Sequence, residues 1–208
     1  MVDGVDLVAD AEADHSGQAF DSCDLRGVAL RGLRAVRASF RFTDLREADL
    51  SDARLHGADF RFADLRGANL RMADLSHADF RFARLGHADL SGANLTAALL
   101  SLAEMQRVNL MDAVLREAQL VGTALDLAYF DHADLRNADL TRARLTGAHA
   151  RFADFRGACL AFASLAQADL TGADLRGARR YETAFHGARL DDAKDDAAPP
   201  PAAAREPA

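Results

Sequence analysis

The side chains in this chain that could hold a metal ion or act as a nucleophile or base are seven histidines and two cysteines. No two histidines have the His-x-x-x-His or His-Glu-x-x-His spacing of a helical zinc site. The chain also has no GxxxxGKS/T or GxGxxG phosphate loop and no GxSxG nucleophile turn. These spacings predict neither a catalytic site nor a metal site. The histidines are His15, His56, His77, His87, His132, His149 and His186.

Carboxylates are the other groups that could do chemistry, and the chain has 32 Asp and Glu residues. A catalytic acid usually needs a carboxyl group whose pKa is raised by burial or by a neighbouring like charge. The sequence pattern described below places no pair of carboxylates in the interior. We therefore expect that the chain is not an enzyme and needs no cofactor, and an enzyme is the least favoured of three function classes.

The composition excludes several other classes. Half of the residues are hydrophobic, 27% are charged, and the net charge is −7. No run of about eighteen apolar residues predicts a membrane span, and the acidic start MVDGVDLVAD lacks the basic residues of a secretory signal. Two cysteines cannot form a disulfide scaffold, which favours a cytoplasmic location. The acidic balance argues against direct binding to nucleic acid.

The elements that must position any functional side chain follow a five-residue repeat. Of the 35 positions at multiples of five from Phe20 to Leu190, 32 are Leu, Phe or Met, and Ala35, Ala150 and Arg180 are the exceptions. The position two residues earlier is Ala in 27 of 35 units. The unit is Ala-x-Leu-x-x. Its Leu is called the central residue here, and the residue two places earlier is called the Ala position. The frame of the repeat is unbroken between residues 18 and 192.

A period of five suits neither regular element. Five helical residues advance about 500°, so an apolar stripe would drift by about 140° per unit. In a strand, an odd step reverses the face at each repeat. The chain must therefore turn once per unit, with the Leu and Ala side chains inside, and its coils must bury them by stacking.

A second period predicts the size of a coil. Phe42, Phe62 and Phe82 recur every 20 residues, which predicts four units per coil and nearly nine coils. The two cysteines, Cys23 and Cys159, then lie almost seven coils apart, or about 33 Å, which is too far for a disulfide.

These units resemble the pentapeptide-repeat proteins and their A(D/N)LXX consensus, as in ADLRG, ANLRM and ADFRF. The resemblance covers residues 18–192 and implies an all-β fold, a right-handed quadrilateral β-helix with Leu or Phe on its axis. Residues 1–17, which contain five acids and no Lys or Arg, are expected to cap the first coil. Residues 193–208, rich in Ala and Pro, are expected to be a disordered tail.

Two outward surfaces are candidate binding sites. The first, the acidic face, consists of the outward residues next to the central residues 30, 50, 70 and every twentieth residue onward. It has eight Asp against four Arg. Its candidate residues are Asp49, Asp52, Asp89, Asp112, Asp131 and Asp169. The second, the phenylalanine ladder, consists of Phe42, Phe62, Phe82 and Leu102, which follow the central residue by two and recur every 20 residues. An exposed row of this kind is typical of an interface, including one between two copies of the chain. The alternative is that the stacked rings only cover one another and the corner of the coil.

Two main functions are open at this point. The first is a rigid, non-catalytic scaffold that presents its surfaces to a protein partner. The second is a DNA mimic: some pentapeptide-repeat proteins, including the Qnr-type quinolone-resistance proteins, bind DNA gyrase, a type II topoisomerase. The resemblance would then imply antibiotic resistance or gyrase protection through the acidic face. The unbroken frame leaves no room for the projecting loops of Qnr-type proteins, and residues 191–208 contain no amphipathic helix for dimerisation.

Overall fold

The computed structural model of the chain describes residues 13–196, and within that range the backbone is a continuous stack of coils without a helix or an extended strand. One residue in every five forms an isolated parallel β-bridge with the residue 20 positions further on. The bridges run without interruption from the pair Asp14 and Arg34 to the pair Asp174 and Lys194. Four five-residue units therefore separate bridged residues, and the chain folds as a repeat β-helix.

The turn in each unit explains why five residues are enough. In the unit around Leu45, the Ala48 N–H donates to the Leu45 carbonyl at 3.1 Å and closes a four-residue turn. Its third residue, Glu47, has a φ of 59°. A positive φ at that position is the mark of a type II turn. Positive φ recurs at every fifth residue from Gly17 to Asp192, so every described corner has the same form.

Hydrogen bonds between coils connect the straight pieces. The Leu45 N–H donates to Asp64 O at 2.8 Å and the Glu47 N–H donates to Arg66 O at 3.1 Å, both toward the C-terminal end. The Asp44 N–H donates to Cys23 O at 3.0 Å in the opposite direction. This pattern satisfies three backbone donors of the unit, and its repetition in other units fixes the register between coils.

The core lies along the axis of the stack. The central residues from Phe20 to Leu175 are buried, and so are the residues of the Ala positions from Leu33 to Ala173. Phe20, Phe40, Phe60 and Phe80 stack face to face inside, at ring distances of 5.2, 5.0 and 4.8 Å.

The last described coil is less covered. Arg180 occupies a central position, is half-buried, and its Nη2 donates to the Asp195 carboxylate at 2.7 Å. A partly buried guanidinium requires a counter-charge, and the Asp195 carboxylate provides it. The predicted cap over residues 1–17 and the predicted tail over residues 193–208 fall largely outside the described residues, and both stay predictions.

Candidate interaction surfaces

One backbone donor in each unit has no carbonyl partner, and this explains the recurring Asp or Asn. Within residues 13–196, no N–H of the residue that follows the central position donates to a backbone carbonyl. Wherever an Asp or Asn stands before the central residue, its Oδ1 accepts this N–H instead, and at Arg41 and Arg151 an Asp of the preceding coil accepts it. In the unit around Leu175, the Arg176 N–H donates to Asp174 Oδ1 at 3.2 Å. A small acceptor at that position therefore stabilises the corner.

Where the residue after the central position is Arg, its guanidinium also binds the Asp before the central position. We call this ion pair the Asp-x-Arg pair. Arg176 Nε donates to Asp174 Oδ1 at 2.9 Å, and Nη2 donates to Oδ2 at 2.6 Å. The side-chain bonds of Arg176 lower the pKa of Asp174 to about 2. Eight such pairs occur in the described residues, at positions 24/26, 44/46, 59/61, 64/66, 79/81, 134/136, 154/156 and 174/176.

The acids of the acidic face are partly neutralised by Arg residues. Asp52 lies 3.0 Å from Arg31, Asp89 lies 3.4 Å from Arg71, and Asp169 lies 2.8 Å from Arg151. These Arg side chains belong to neighbouring coils of the same face, whereas the successive coils that carry Asp89, Asp112 and Asp131 have no Arg of this face between these acids.

Two of the other three candidate acids of this face have neutral or backbone donors, and the third is exposed. Asp49 accepts hydrogen bonds from the Ser51 N–H at 3.0 Å and from Asn69 Nδ2 at 2.9 Å. Asp131 accepts the Arg151 N–H at 2.9 Å, and Asp112 is exposed. The structure does not gather the six acids into one compact site.

Asp169 is the carboxylate of the acidic face that the fold encloses most tightly. It is 8% exposed. Its Oδ1 accepts the Thr171 hydroxyl at 2.6 Å, and its Oδ2 accepts Arg151 Nε at 2.8 Å. The Thr171 bond, helped by Arg151, lowers the pKa of Asp169 to about 2 despite burial, which acts in the opposite direction. Asp169 is therefore a structural anion and not a proton donor at neutral pH.

The phenylalanine ladder is an exposed, stacked row. The rings of Phe42 and Phe62 lie 5.0 Å apart, and those of Phe62 and Phe82 lie 5.1 Å apart, with interplanar angles of 4°. Phe42 and Leu102 are 55% exposed, Phe62 is 45% and Phe82 is 47%. The Arg41 guanidinium carbon lies 5.5 Å from the centre of the Phe42 ring, at the N-terminal end of the row.

The ladder occupies the corner of the coil, where the backbone is left-handed. Phe42, Phe62 and Phe82 have φ values of 58°, 62° and 63°. Bulky residues rarely adopt that conformation, which costs roughly 1 kcal/mol or more. Glycine, which adopts it freely, fills twelve of the other corners. The row ends at Gly122, where an added Cβ would come within 2.9 Å of Leu102 Cδ2.

Other aromatic contacts on the outside were not anticipated from the sequence. Tyr129 stacks on His149 at 5.1 Å, and His132 stacks on Phe152 at 5.3 Å. The 20-residue spacing between the partners in each pair was the signal that could have found them. The sequence also shows the repeated Asp before the central residue. It does not show that this Asp accepts a hydrogen bond from a backbone N–H that has no carbonyl partner.

The metal-ligating and nucleophilic side chains of the described residues do not form a large cluster. No group of three or more His, Cys, Asp or Glu side chains within residues 13–196 could hold a metal ion. Cys23 and Cys159 are both free and half-buried. In the same range no helix is long and apolar enough to cross a bilayer.

Comparison with known proteins agrees with this architecture. The family model for pentapeptide repeats matches in 8 copies, over residues 23–61, 53–96, 93–130, 125–161 and 153–192. No curated protein sequence gives a significant match.

Two solved structures illustrate the likeness. HetL, a pentapeptide repeat protein involved in heterocyst differentiation regulation in Nostoc sp. strain PCC 7120, is 29% identical over 93% of this chain and 94% of its own, with a TM-score of 0.54. A trypsin-treated variant of QnrB1, a plasmid-mediated fluoroquinolone resistance protein, is 22% identical over 88% of this chain and 92% of its own, with a TM-score of 0.65. The second likeness is one of fold alone. With the family model matched across residues 23–192, the chain belongs to the pentapeptide repeat family.

Proposed function

We propose that this chain is a rigid, non-catalytic scaffold that binds a protein partner through the phenylalanine ladder. The observation that carries this proposal is the ladder itself: four large apolar side chains, in four consecutive coils, each 45–55% exposed. Each aromatic side chain presents an area of about 150–250 Å², so the exposed half of the row amounts to a few hundred Å². An apolar patch of that size on a soluble protein commonly marks an interface.

The backbone at the ladder supports the same reading. Leucine or phenylalanine at a left-handed corner costs conformational energy, and its exposure gains little burial in return. Gly at these corners would cost less, as Gly57 and Gly67 illustrate on neighbouring corners with φ of 65° and 69°. Other corners also carry residues other than glycine, and the ladder differs from them in placing a large, exposed apolar side chain at the same corner of four consecutive coils.

The shape of the ladder suggests which kind of partner fits. A row at the corner of a coil is convex, so it fits an apolar groove on another protein better than it fits an identical ridge on a second copy. We infer a right-handed, four-sided stack of nearly nine coils, about 40 Å long at about 4.8 Å per coil, as the support of that ridge. Since each coil packs on its neighbours along the whole length, the ridge is held in a fixed, straight form.

The alternative function is a DNA mimic that binds gyrase through the acidic face. DNA has one negative charge per about 1.7 Å of its axis. The acidic face has only eight acids over about 40 Å, or one per about 5 Å, and Arg31, Arg71 and Arg151 lie within 4 Å of three of them. This low and partly neutralised charge density favours the scaffold over the mimic.

A gyrase supercoiling assay separates the two functions. The scaffold proposal expects that micromolar amounts of the chain neither inhibit gyrase nor relieve its inhibition by a quinolone. Either effect would favour the mimic. Replacing Asp89, Asp112 and Asp131 with Lys should then abolish the effect, whereas the same change at Asp24, Asp44 and Asp64 should do much less.

The ladder is tested by affinity capture with matched variants. The full chain is immobilised, and the proteins it retains from cells that express it are compared with those retained by the Phe62→Asp, Phe82→Asp double variant. The control is Phe152→Asp, which alters a 57% exposed Phe on another corner. We expect a partner that the control retains and the double variant loses at least tenfold. Light scattering on the same proteins shows whether that partner is a second copy, and equal retention by both variants would contradict the proposal.

A further inference from the structure

Two histidine rings meet on the surface at one corner of the coil, away from the ladder. His56 and His77 lie in successive coils, and their ring centres are 5.2 Å apart with an interplanar angle of 70°. His56 is half-buried and His77 is exposed. Both rings therefore border solvent, and each brings two nitrogen atoms to the same small region.

Hydrogen bonds beneath the pair fix the orientation of one ring. Ser76 Oγ lies 2.6 Å from Asp74 Oδ1 and 2.9 Å from His56 Nδ1. Because an ionised carboxylate only accepts, the Ser76 hydroxyl must donate its proton to Asp74. Its oxygen then accepts a hydrogen bond from His56 Nδ1–H. The lone pair of neutral His56 is consequently on Nε2.

Burial and further hydrogen bonds hold Ser76 and Asp74 in place. Ser76 is only 9% exposed. Asp74 Oδ1 also accepts the Ser76 N–H at 3.1 Å and Asn94 Nδ2 at 3.2 Å. Metal-binding histidines usually donate their second ring N–H in this way, to a group that is itself hydrogen-bonded. His56 thus has the support of a metal ligand, although no metal is needed to explain the fold.

The distance between the rings fits a shared metal ion. A zinc–nitrogen bond of about 2.0–2.1 Å places the ion about 3.2 Å from the centre of each imidazole ring. At a tetrahedral angle, two such rings have centres about 5.2 Å apart, whereas at a right angle the distance is about 4.5 Å. The observed separation of 5.2 Å therefore allows both rings to reach one ion.

We propose that His56 and His77 form a two-imidazole binding site for a divalent transition-metal ion such as Zn²⁺. Ser76 and Asp74 act as positioning residues that hold His56 in the metal-binding tautomer. Water fills the remaining two positions of the ion. This site is independent of the phenylalanine ladder and of the function proposed for it.

Calorimetric titration of the full chain with ZnCl₂ tests the proposal. We expect one ion per chain, and at least a tenfold weaker affinity in both His56→Ala and His77→Ala. The positioning role predicts a loss of about 10–100-fold for Ser76→Ala, which leaves both imidazoles in place. The matched control is His132→Ala, at an exposed histidine on another corner, which should bind like the wild type.

Imidazole nitrogen chemical shifts keep the test decisive. On addition of Zn²⁺ to the wild type, the ring signals of His56 and His77 should shift together, and those of His132 and His149 should not. Circular dichroism confirms that each variant is folded. No binding up to about 1 mM Zn²⁺, or unchanged binding in His77→Ala, would overturn the proposal and leave the rings as a packing contact.

Discussion

The bonds around Asp169 make a prediction about acid stability. The hydroxyl of Thr171, together with Arg151, lowers the pKa of this carboxyl from 3.8 to about 2. A lowered pKa in the folded state means that the ionised group stabilises the fold above about pH 4, and that this contribution disappears as the pH falls toward 2. We expect Asp169→Asn to lower the urea midpoint at pH 7. Its difference from the wild type should shrink between pH 4 and pH 2.

The control for this experiment is Asp112→Asn, on the same face. Asp112 is exposed, and no ion pair joins it to another described residue. Its substitution should change the midpoint little at any pH. A difference between wild type and Asp169→Asn that stays constant down to pH 2 would show that the carboxylate does not act through its charge.

Burial of the central position is tested at Leu75, which is fully buried in the middle of the stack. Replacement with Ala should cost about 2–5 kcal/mol of unfolding free energy, because it removes transfer energy and leaves a cavity. Leu127→Ala, at a 43% exposed leucine on a corner, is the matched control and should cost much less. Ala73→Leu should also destabilise, by about 1–3 kcal/mol, since Ala73 is enclosed on all sides. Equal losses at Leu75 and Leu127, measured by urea unfolding, would mean that inside and outside are wrongly assigned.

The five-residue unit is the element of this fold, and its corners can be tested at glycine. At Gly172, φ is 70° and an added Cβ would lie 2.5 Å from two ring carbons of Phe152. At Gly27, φ is 62° and nothing lies within 4 Å of an added Cβ. Gly27→Ala should therefore cost only the backbone strain, about 1 kcal/mol, and Gly172→Ala should cost more.

A double-mutant cycle separates the two contributions at this corner. In a Phe152→Ala background the ring is absent, so the extra cost of Gly172→Ala should vanish and leave a loss like that of Gly27→Ala. The comparison uses thermal unfolding midpoints. An unchanged cost in that background would mean that the ring does not restrict the corner.

At the scale of the unit, the sequence predicted the core well and the outside poorly. The fixed positions of Leu and Ala indicate which side chains point inward, because a narrow interior requires an apolar side chain of similar size at the same position of each unit. The opposite charges of Asp and Arg on either side of the central residue are visible in the sequence, but the hydrogen bond to the Asp is not, because it depends on which backbone N–H lacks a partner in the neighbouring coils. The four Arg of the acidic face are visible too, whereas the individual pairs, such as Asp52 with Arg31, depend on rotamers across coils.

At the scale of the whole molecule, the repeat determines the fold and also places similar side chains on every side of the stack. The same bridge joins residues 20 apart along the whole described chain, so a 20-residue period in the sequence becomes a straight row on the surface. The 20-residue period alone therefore predicts that Phe42, Phe62 and Phe82 lie in one row. Repetition also spreads Asp and Arg over every side, so charge alone singles out no site.

The central claim is that the phenylalanine ladder contacts a protein partner, and site-specific photo-cross-linking tests it most directly. Phe82, on the ladder, is replaced with p-benzoylphenylalanine in one variant, and Phe152, equally aromatic and 57% exposed on another corner, is replaced in a second. Both variants are irradiated in cells that express the chain. The scaffold account predicts that Phe82 yields a covalent product with one defined protein and that Phe152 does not. Products of equal yield from both positions, or none from Phe82, would contradict it.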